Sequence, residues 1–277
     1  MLREKQTKMT LKEVAVRLGR CGIENPAYEA RELFMYVGKM SREELISGDA
    51  ECESPELCEA VMRREKREPL QYIIGEVGFY RETYKVSDGC LIPRSDTEIL
   101  VDYAVRNIPS GKSFLDLCTG SGCVALSTLK NTHGTTAYAV DISRGALKIA
   151  KENATKNGVE DRLTLIEADA REPIFDEPFF AVLSNPPYVT EKEYESLEPE
   201  LYFEPRIALV GNDEGLEFYK TITNIYKDKI SPEGFIAYEI GASQADALRK
   251  IAKLCDMTIE IIKDFSENDR VAILKNR

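Results

Sequence analysis

Asn185, Pro186, Pro187 and Tyr188 form a segment whose residue types indicate chemistry directly. The apolar run 179–184 precedes them, so we expect them at the carboxyl end of a strand, where open α/β sheets bind ligands. Two consecutive prolines fix φ and lack N–H groups, so the turn presents mainly acceptors: the Asn185 side chain and the carbonyl groups of Asn185 and Pro186. These acceptors suit a planar NH2 group, in an amide or a nucleobase, because they localise its lone pair toward an electrophile. The Tyr188 ring offers such a group a flat face.

A second group of residues predicts a cofactor site. Gly120 and Gly122 follow the strand-like run 114–117, and Asp141 ends the next predicted strand. Spacing of this kind also fits a dinucleotide fingerprint, in which the downstream acid binds a ribose. The carboxylate of Asp116, beside the turn, would repel a pyrophosphate and attract the ammonium group of a methionine moiety. The sequence therefore favours S-adenosylmethionine, with both glycines admitting its amino-acid part and Asp141 accepting from two ribose hydroxyls.

Three further residues surround this expected site. Asp169 follows the third predicted strand and is expected to face the adenine amino group; the alternative is a cap on a loop or short helix. Cys118 and Cys123 flank the glycine turn as small packing side chains, Cys118 also as a candidate for the pocket wall. A sulfonium methyl is already activated, so transfer to nitrogen needs an in-line approach and exclusion of water more than a strong base. The only histidine, His133, is expected in a surface loop.

The elements that would position these residues fall into two predicted domains. Residues 1–84 form a small helical domain ending in a hairpin linker, with runs 70–74, 77–80 and 84–86 expected to be extended. Short helices are predicted to begin at four start signals: Thr10, Asn25-Pro26, Ser41 and Ser54-Pro55. The methyltransferase domain is predicted over residues 85–277.

The second domain alternates helix and strand from a capping box predicted at Ser95–Glu98. Such alternation indicates an α/β fold with a Rossmann-like, mostly parallel sheet and helices on both faces. Helices are predicted to about residue 107, from Val124, and from Ser143 to Asn157. Strands are predicted at 114–117, 137–140, 163–167, 181–184, 235–240, 257–262 and 271–274.

Composition limits the class of protein. The 277 residues are 43% hydrophobic and 31% charged, with a formal net charge of −11. This charge argues against broad binding to a phosphate backbone, so no direct nucleic-acid binding is expected. Seven scattered cysteines without a Cys-x-x-Cys pair, and one histidine, argue against a metal site or a disulfide framework. The charged start at Met1–Gln6 and the lack of a long apolar run predict a reduced, cytoplasmic protein without membrane spans.

Together these residues resemble the bacterial release factor glutamine methyltransferases over nearly the whole chain. The resemblance includes the helical amino-terminal domain, the glycine turn and Ser184–Tyr188, and three further segments: Glu68–Gly75, Leu91–Glu98 and Phe203–Leu209. It implies methylation of the side-chain amide nitrogen of glutamine in the Gly-Gly-Gln motif of class 1 peptide-chain release factors, by a class I S-adenosylmethionine-dependent enzyme. The chain is expected to act as a monomer.

The resemblance also implies roles for individual residues. Asn185 and the Pro186 carbonyl would hold the glutamine amide, beside Pro187, and Tyr188 would pack on it. The cofactor would be surrounded by Asp116, Cys118, Thr119, Gly120, Ser121, Gly122, Asp141, Asp169, Ala170 and Asn185. Two loops depart from the family pattern: Ser95 stands where many members have proline, and Asp264–Arg270 lacks the glycine usual after the aromatic residue.

Two other functions fit part of the pattern. An adenine methyltransferase acting on DNA or RNA would use the same Asn-Pro-Pro-Tyr turn, but it must extrude a base and hold a duplex with basic surface. A non-catalytic cofactor-binding module would keep the fold alone. The intact turn, together with intact Asp116 and Asp141, favours an enzyme.

Overall fold

The computed structural model describes residues 8–46 and 50–277. The charged start of the chain and residues 47–49, both within the predicted helical domain, lie outside the described residues. Within the described ranges, no helix is both long and apolar enough to cross a membrane.

The chain forms two compact units. The first, called the helical unit, comprises residues 1–76 and the later segment 198–203. The second, called the sheet unit, comprises residues 77–197 and 204–277. The chain therefore passes from one unit to the other three times.

In its described part, the helical unit consists of short helices and one pair of short antiparallel strands. Its elements are β1 (Lys8–Thr10), α1 (Leu11–Arg20), α2 (Pro26–Tyr36), β2 (Glu51–Glu53), α3 (Pro55–Glu65), α4 (Leu70–Ile74) and a 3-10 turn at Pro199–Phe203. Three predicted starts are confirmed. Thr10 and Glu13 form a capping box, Asn25 precedes a proline at the first helical position, and the Ser54 hydroxyl accepts from the Leu57 N–H.

Two expectations about this unit are wrong. The run 70–74 is a helical turn, since Pro69 begins it, Gly75 ends it in a left-handed conformation, and the apolar side chains are buried. Ser41 and Glu44 do form the predicted capping-box hydrogen bonds, but the described residues 42–46 are a turn and not the expected helix.

A buried cation joins the two chain segments of the helical unit. The Arg64 side chain, only 5% exposed, donates to Glu29 at 2.5 Å and to Glu200 at 2.9 Å. Arg67 donates to the second Glu200 oxygen at 2.7 Å. Because a buried guanidinium is costly unless it is paired, these carboxylates fix segment 198–203 against α3.

The sheet unit begins with a hairpin and continues as alternating strands and helices. Its elements are β3 (Glu76–Phe79), β4 (Glu82–Lys85), α5 (Glu98–Asn107), β5 (Ser113–Leu117), α6 (Cys123–Lys130), β6 (Thr136–Asp141), α7 (Arg144–Asn157), β7 (Leu163–Glu167), β8 (Phe179–Ser184), α8 (Glu191–Tyr194), α9 (Arg206–Leu209), α10 (Asn212–Gly215), α11 (Glu217–Tyr226), β9 (Ile230–Glu239), α12 (Ala245–Leu254), β10 (Met257–Lys263) and β11 (Asp269–Asn276).

The predicted mostly parallel sheet is confirmed. Its strand order is β10-β11-β9-β8-β5-β6-β7, with β5 parallel to β6 and β8, and β11 antiparallel to both of its neighbours. Residues of one strand alternate between two cores. Phe114 packs with α5 and α6, whereas Leu115 packs with α11 and α12. Helices therefore cover both faces and leave the strand ends as the place for a site.

Two loops of the sheet unit differ from their sequence patterns. The predicted box at Ser95–Glu98 does not form: Ser95–Thr97 is a 3-10 turn, and the Glu98 carboxylate accepts from the Tyr80 N–H at 2.8 Å. In the β10–β11 turn, Glu267 takes a left-handed φ of +65°. Two N–H groups that donate to Asp264 stabilise this turn in a loop without glycine.

Candidate active site

Three neighbouring parallel strands end at one edge of the sheet and bring the predicted site residues together. Leu117 of β5 pairs with Val140 of β6 on one side and with Ser184 of β8 on the other. The glycine turn, Asp141 and Asn185 each follow or end one of these strands, so the register places them side by side.

Asp116 lies beneath the glycine turn and is almost fully buried. Its Oδ2 accepts from the Thr119 hydroxyl at 2.6 Å and from the Ala125 N–H at 3.1 Å. These bonds hold the turn to the first residues of α6. Burial raises the pKa of Asp116 to about 7, against the effect of the two hydrogen bonds.

The backbone of the turn is left-handed at three positions. Cys118, Gly120 and Gly122 have φ values of +62°, +57° and +83°. A Cβ on Gly122 would lie 3.0 Å from Leu126 and 3.2 Å from Ala150, whereas one on Gly120 would meet nothing within 4 Å. Gly122 therefore permits close packing on two helices, and Gly120 leaves open space above the turn.

Asp141 connects the glycine turn to the end of β6. Its Oδ2 accepts from the Gly120 N–H at 2.8 Å and its Oδ1 from the Ser143 N–H at 2.9 Å. Burial raises the pKa of Asp141, and the same backbone donors lower it. Each carboxylate oxygen can accept a second hydrogen bond, so Asp141 retains acceptor capacity for a pair of hydroxyls.

Asp169 contacts a partner that the sequence patterns did not indicate. Arg171 donates to its Oδ2 at 2.6 Å and to its Oδ1 at 2.9 Å, which lowers the pKa of Asp169. The Arg171 backbone N–H also donates to Oδ1 at 2.9 Å, the cap-like bond of the alternative interpretation. Arg171 in turn lies over the Phe218 ring at 5.2 Å, a contact between residues far apart in sequence.

A cavity of about 290 Å³ lies at this edge of the sheet, at the small end of the range for ligand pockets. Predicted site residues in its wall are Cys118, Gly120, Asp141, Asp169, Ala170, Asn185 and Pro187. Residues that were not predicted there include Ile142, Ser143, Arg171, Ile207, Val210 and Phe218. Of these, Ile142 and Ser143 could have been found because they directly follow Asp141.

A second, smaller cavity shares part of this wall. Cys118, Gly120 and Asn185 line both cavities, and Thr119 and Ser121 line the smaller one. Asp116, Gly122, Pro186 and Tyr188 are in neither wall, although all four were predicted site residues.

The Asn-Pro-Pro-Tyr turn is held by close backbone contacts. A Cβ on Gly211 would lie 2.4 Å from the Pro187 carbonyl oxygen, and one on Gly215 would lie 2.1 Å from that of Tyr188. Gln244 donates to the same Tyr188 carbonyl at 3.2 Å. Gly211 and Gly215 therefore support the turn. They were not predicted because they lie far from Asn185 in the sequence.

Side chains from two other segments contact the functional groups of the turn. The Asn185 amide nitrogen donates to the Thr97 hydroxyl at 3.2 Å. The Tyr188 hydroxyl donates to Glu239 at 3.1 Å, and burial raises the pKa of Tyr188. Neither Thr97 nor Glu239 was predicted to belong to the site.

The described residues contain no cluster of side chains that could bind a metal ion. Within residues 8–46 and 50–277, no three His, Cys, Asp or Glu side chains are grouped so that they could hold an ion.

Comparison with known proteins gives two matching family models. The model for the PrmC N-terminal domain matches residues 10–75, and the model for the methyltransferase small domain matches residues 95–202. The solved ribosomal protein L11 methylase of Lactobacillus delbrueckii subsp. bulgaricus is 16% identical, with a TM-score of 0.52 over 69% of this chain and 84% of that one. That likeness shows the fold alone.

Curated relatives match most of the chain. The release factor glutamine methyltransferase of Thermodesulfovibrio yellowstonii is 38% identical over 256 residues, 89% of this chain and 91% of the relative. The protein of the same name from Fusobacterium nucleatum is 35% identical over 268 residues, 93% of this chain and 75% of the relative. The resemblance seen in the motifs is thereby confirmed, and the chain belongs to the release factor glutamine methyltransferase family.

Proposed function

We propose that this protein transfers a methyl group from S-adenosylmethionine to the side-chain amide nitrogen of glutamine in the Gly-Gly-Gln motif of class 1 peptide-chain release factors. The names of its relatives support this function. The observation that carries it is the position of Asn185, in the wall shared by the two cavities at the carboxyl end of β8.

The residues of the larger cavity fit this cofactor. Asp141 retains acceptor positions for two ribose hydroxyls. The open space above Gly120 admits an amino-acid chain, and the apolar side chains of Ile142, Val210 and Phe218 suit a flat base. Asp169 would accept from the adenine amino group alongside Arg171.

Asp116 has a different proposed part. Asp116 lies beneath the turn and does not line the cavity. In its ionised form the carboxylate would attract the ammonium group of the cofactor through the turn. We place Cys118, Thr119, Ser121, Gly122 and Ala170 around the same ligand.

The chain's own residues would act mainly by orientation. The cofactor, when bound, supplies a methyl group that is already activated by a sulfonium charge. Asn185 Oδ1 and the Pro186 carbonyl would accept the two amide hydrogens and so localise the nitrogen lone pair. Pro187 stiffens the turn, and the Tyr188 ring would cover the amide plane. The nitrogen gains a methyl group and releases one proton to solvent.

One experiment separates this function from its rivals. The purified chain is incubated with labelled S-adenosylmethionine, a class 1 release factor and duplex DNA, and the label is located by peptide mass. Label on the Gly-Gly-Gln glutamine is the expected result. Label on adenine would instead indicate a nucleic-acid methyltransferase, and cofactor binding without any transfer would indicate a binding module.

We further propose that residues 1–84 bind the release factor away from the reacting glutamine. A side-chain amide in a glycine-rich loop offers little surface, so remote contacts must supply specificity. The protein would act as a monomer in the cytoplasm. Its seven cysteines are all free thiols, as a reducing compartment would maintain them.

A truncated protein that begins at Val77, the first residue of the sheet unit, tests the role of this domain. We expect it to bind S-adenosylmethionine almost as well as the full chain, because the cavity residues all follow residue 85. Its kcat/KM for intact release factor should fall toward the low value that a short Gly-Gly-Gln peptide gives with either protein. Equal kcat/KM for intact release factor would rule out the recognition role and leave a role in stability or assembly.

A further inference from the structure

A chain of hydrogen bonds leads from Asn185 into the protein interior. The Asn185 amide nitrogen donates to the Thr97 hydroxyl at 3.2 Å, and the Thr97 hydroxyl donates to Glu239 Oε2 at 2.5 Å. The Tyr188 hydroxyl donates to the other oxygen, Oε1, at 3.1 Å. Thr97 and Glu239 are each only 1% exposed. Both side chains expected at the substrate therefore depend on one buried carboxylate.

The number of protons fixes the direction of these bonds. An ionised carboxylate only accepts, and a hydroxyl has a single proton to give. Because Thr97 donates that proton to Glu239, its oxygen can only accept from Asn185. The amide nitrogen of Asn185 must then face Thr97, and Oδ1 is the atom left for the cavity.

This constraint matters because an asparagine amide has two ends of nearly equal size. With the amide reversed, Asn185 would present an NH2 group to the NH2 group of the substrate. Two donors cannot form a hydrogen bond, and the lone pair of the substrate nitrogen would not be localised. The oxygen-outward orientation is the one that can act on the substrate.

Two hydroxyl groups and a guanidinium face the carboxylate of Glu239. Burial raises the pKa of Glu239 above its ordinary value, and the Thr97 and Tyr188 hydroxyls and the nearby Arg270 guanidinium limit that rise. Arg270 is itself held by Asp96 at 3.2 Å and by Asp264 at 3.1 Å. The Tyr219 hydroxyl donates to the backbone oxygen of Glu239, so it does not compete for the carboxylate.

We propose that Thr97 and Glu239 are positioning residues that select the reactive orientation of the Asn185 amide. The inference rests on the proposed role of Asn185 as the acceptor for the substrate amide.

Conservative variants in the full chain test the proposal. Thr97→Val should lower the single-turnover rate about tenfold, since it leaves the amide nitrogen without its buried acceptor. Thr97→Ser keeps the hydroxyl and should remain within about twofold of wild type. Glu239→Gln should also lose about tenfold, because its amide no longer forces the Thr97 proton away from Asn185. The dissociation constant for S-adenosylmethionine and the KM for release factor should stay within about threefold in all three.

A double substitution separates orientation from general damage to the fold. In an Asn185→Ala background no amide remains to be oriented, so adding Thr97→Val should lower the rate by less than about twofold. If Thr97→Val costs the same factor in both backgrounds, it acts through the fold and the proposal is overturned.

The single variants distinguish this inference from the function on which it rests. A full-rate Asn185→Ala protein would overturn the role of Asn185 itself. A slow Asn185→Ala protein together with a full-rate Thr97→Val protein would overturn the positioning role alone. Unfolding midpoints measured for each variant show that the compared proteins are folded.

Discussion

The two halves of the site are held in different ways. On the cofactor side, the supporting hydrogen bonds are local: Asp116 bonds residues 3 and 9 positions away, and Asp141 bonds residues 2 and 21 positions away. On the substrate side the spacings are 88 positions for Asn185 to Thr97, 51 for Tyr188 to Glu239, and 142 for Thr97 to Glu239.

This difference has a physical meaning. Local bonds form as soon as β5, the glycine turn and β6 pair, because short loops are closed at little entropic cost. The long-range bonds require two later or distant parts to be in place: β9, which pairs with β8 and carries Glu239, and the segment before α5, which carries Thr97. Cofactor binding should therefore tolerate changes that abolish the arrangement of Asn185.

The largest expected effect is on the substrate side alone. Asn185→Ala should lower the single-turnover methyl-transfer rate by about 10²–10³-fold, as removal of one preorganised polar group does elsewhere. Cofactor binding, measured by calorimetry, should be unchanged. A rate within threefold of wild type would show that Asn185 does not act on the substrate, and the proposed difference between the two halves would be wrong.

The next prediction concerns the cofactor side, where the free energy of unfolding should depend on the buried carboxyl group of Asp116. The pKa of Asp116 is raised from 3.8 to about 7, so the stability due to its protonated form is fully present below pH 3.8 and is lost as the pH rises to about 7. Between pH 5 and pH 8, the free energy of unfolding of wild type should therefore fall by about 3 kcal/mol relative to Asp116→Asn.

Denaturant unfolding at the two pH values checks this, with the exposed Asp161→Asn as a matched control that should show no such difference. If the two variants behave alike, the carboxylate of Asp116 is not isolated from solvent as the fold indicates.

Asp141→Ala should act on binding instead of rate. Its carboxylate would form charge-assisted bonds to two hydroxyls, so its loss should raise the dissociation constant of S-adenosylmethionine by about tenfold or more. At saturating cofactor the single-turnover rate should recover to near wild type. An unchanged constant in calorimetry would remove Asp141 from the binding site.

The smallest expected change in the methyl-transfer rate is that of Tyr188→Phe. Comparing it with Tyr188→Ala separates the role of the ring from that of the hydroxyl group. Tyr188→Phe keeps the ring and loses only the bond to Glu239, so we expect a rate within about threefold of wild type. Tyr188→Ala removes the flat face and should lose more. Equal losses for both variants would assign the role to the hydroxyl group, against the proposed contact of the ring with the amide.

What could be predicted from the sequence follows the same division. The glycine turn, the position of Asp141 at the end of β6 and most strand positions were predicted correctly, because their signals lie within a few residues of one another. Thr97, Glu239 and Gly211 were not predicted, since each acts through a segment that only the folded sheet brings near. The run 70–74 was assigned wrongly because a short apolar stretch fits a strand or a helical turn equally well.

The pairing of Arg64 with Glu200 also has a consequence for synthesis on the ribosome. Glu200 is added 136 residues after Arg64, which at about 5–20 residues per second is roughly 7–27 s later. Throughout that interval the guanidinium has Glu29 but lacks its second carboxylate. The nascent helical unit must therefore wait for most of the methyltransferase domain before its last segment can dock. The helical unit is therefore completed only after residues 77–197 of the sheet unit have been made.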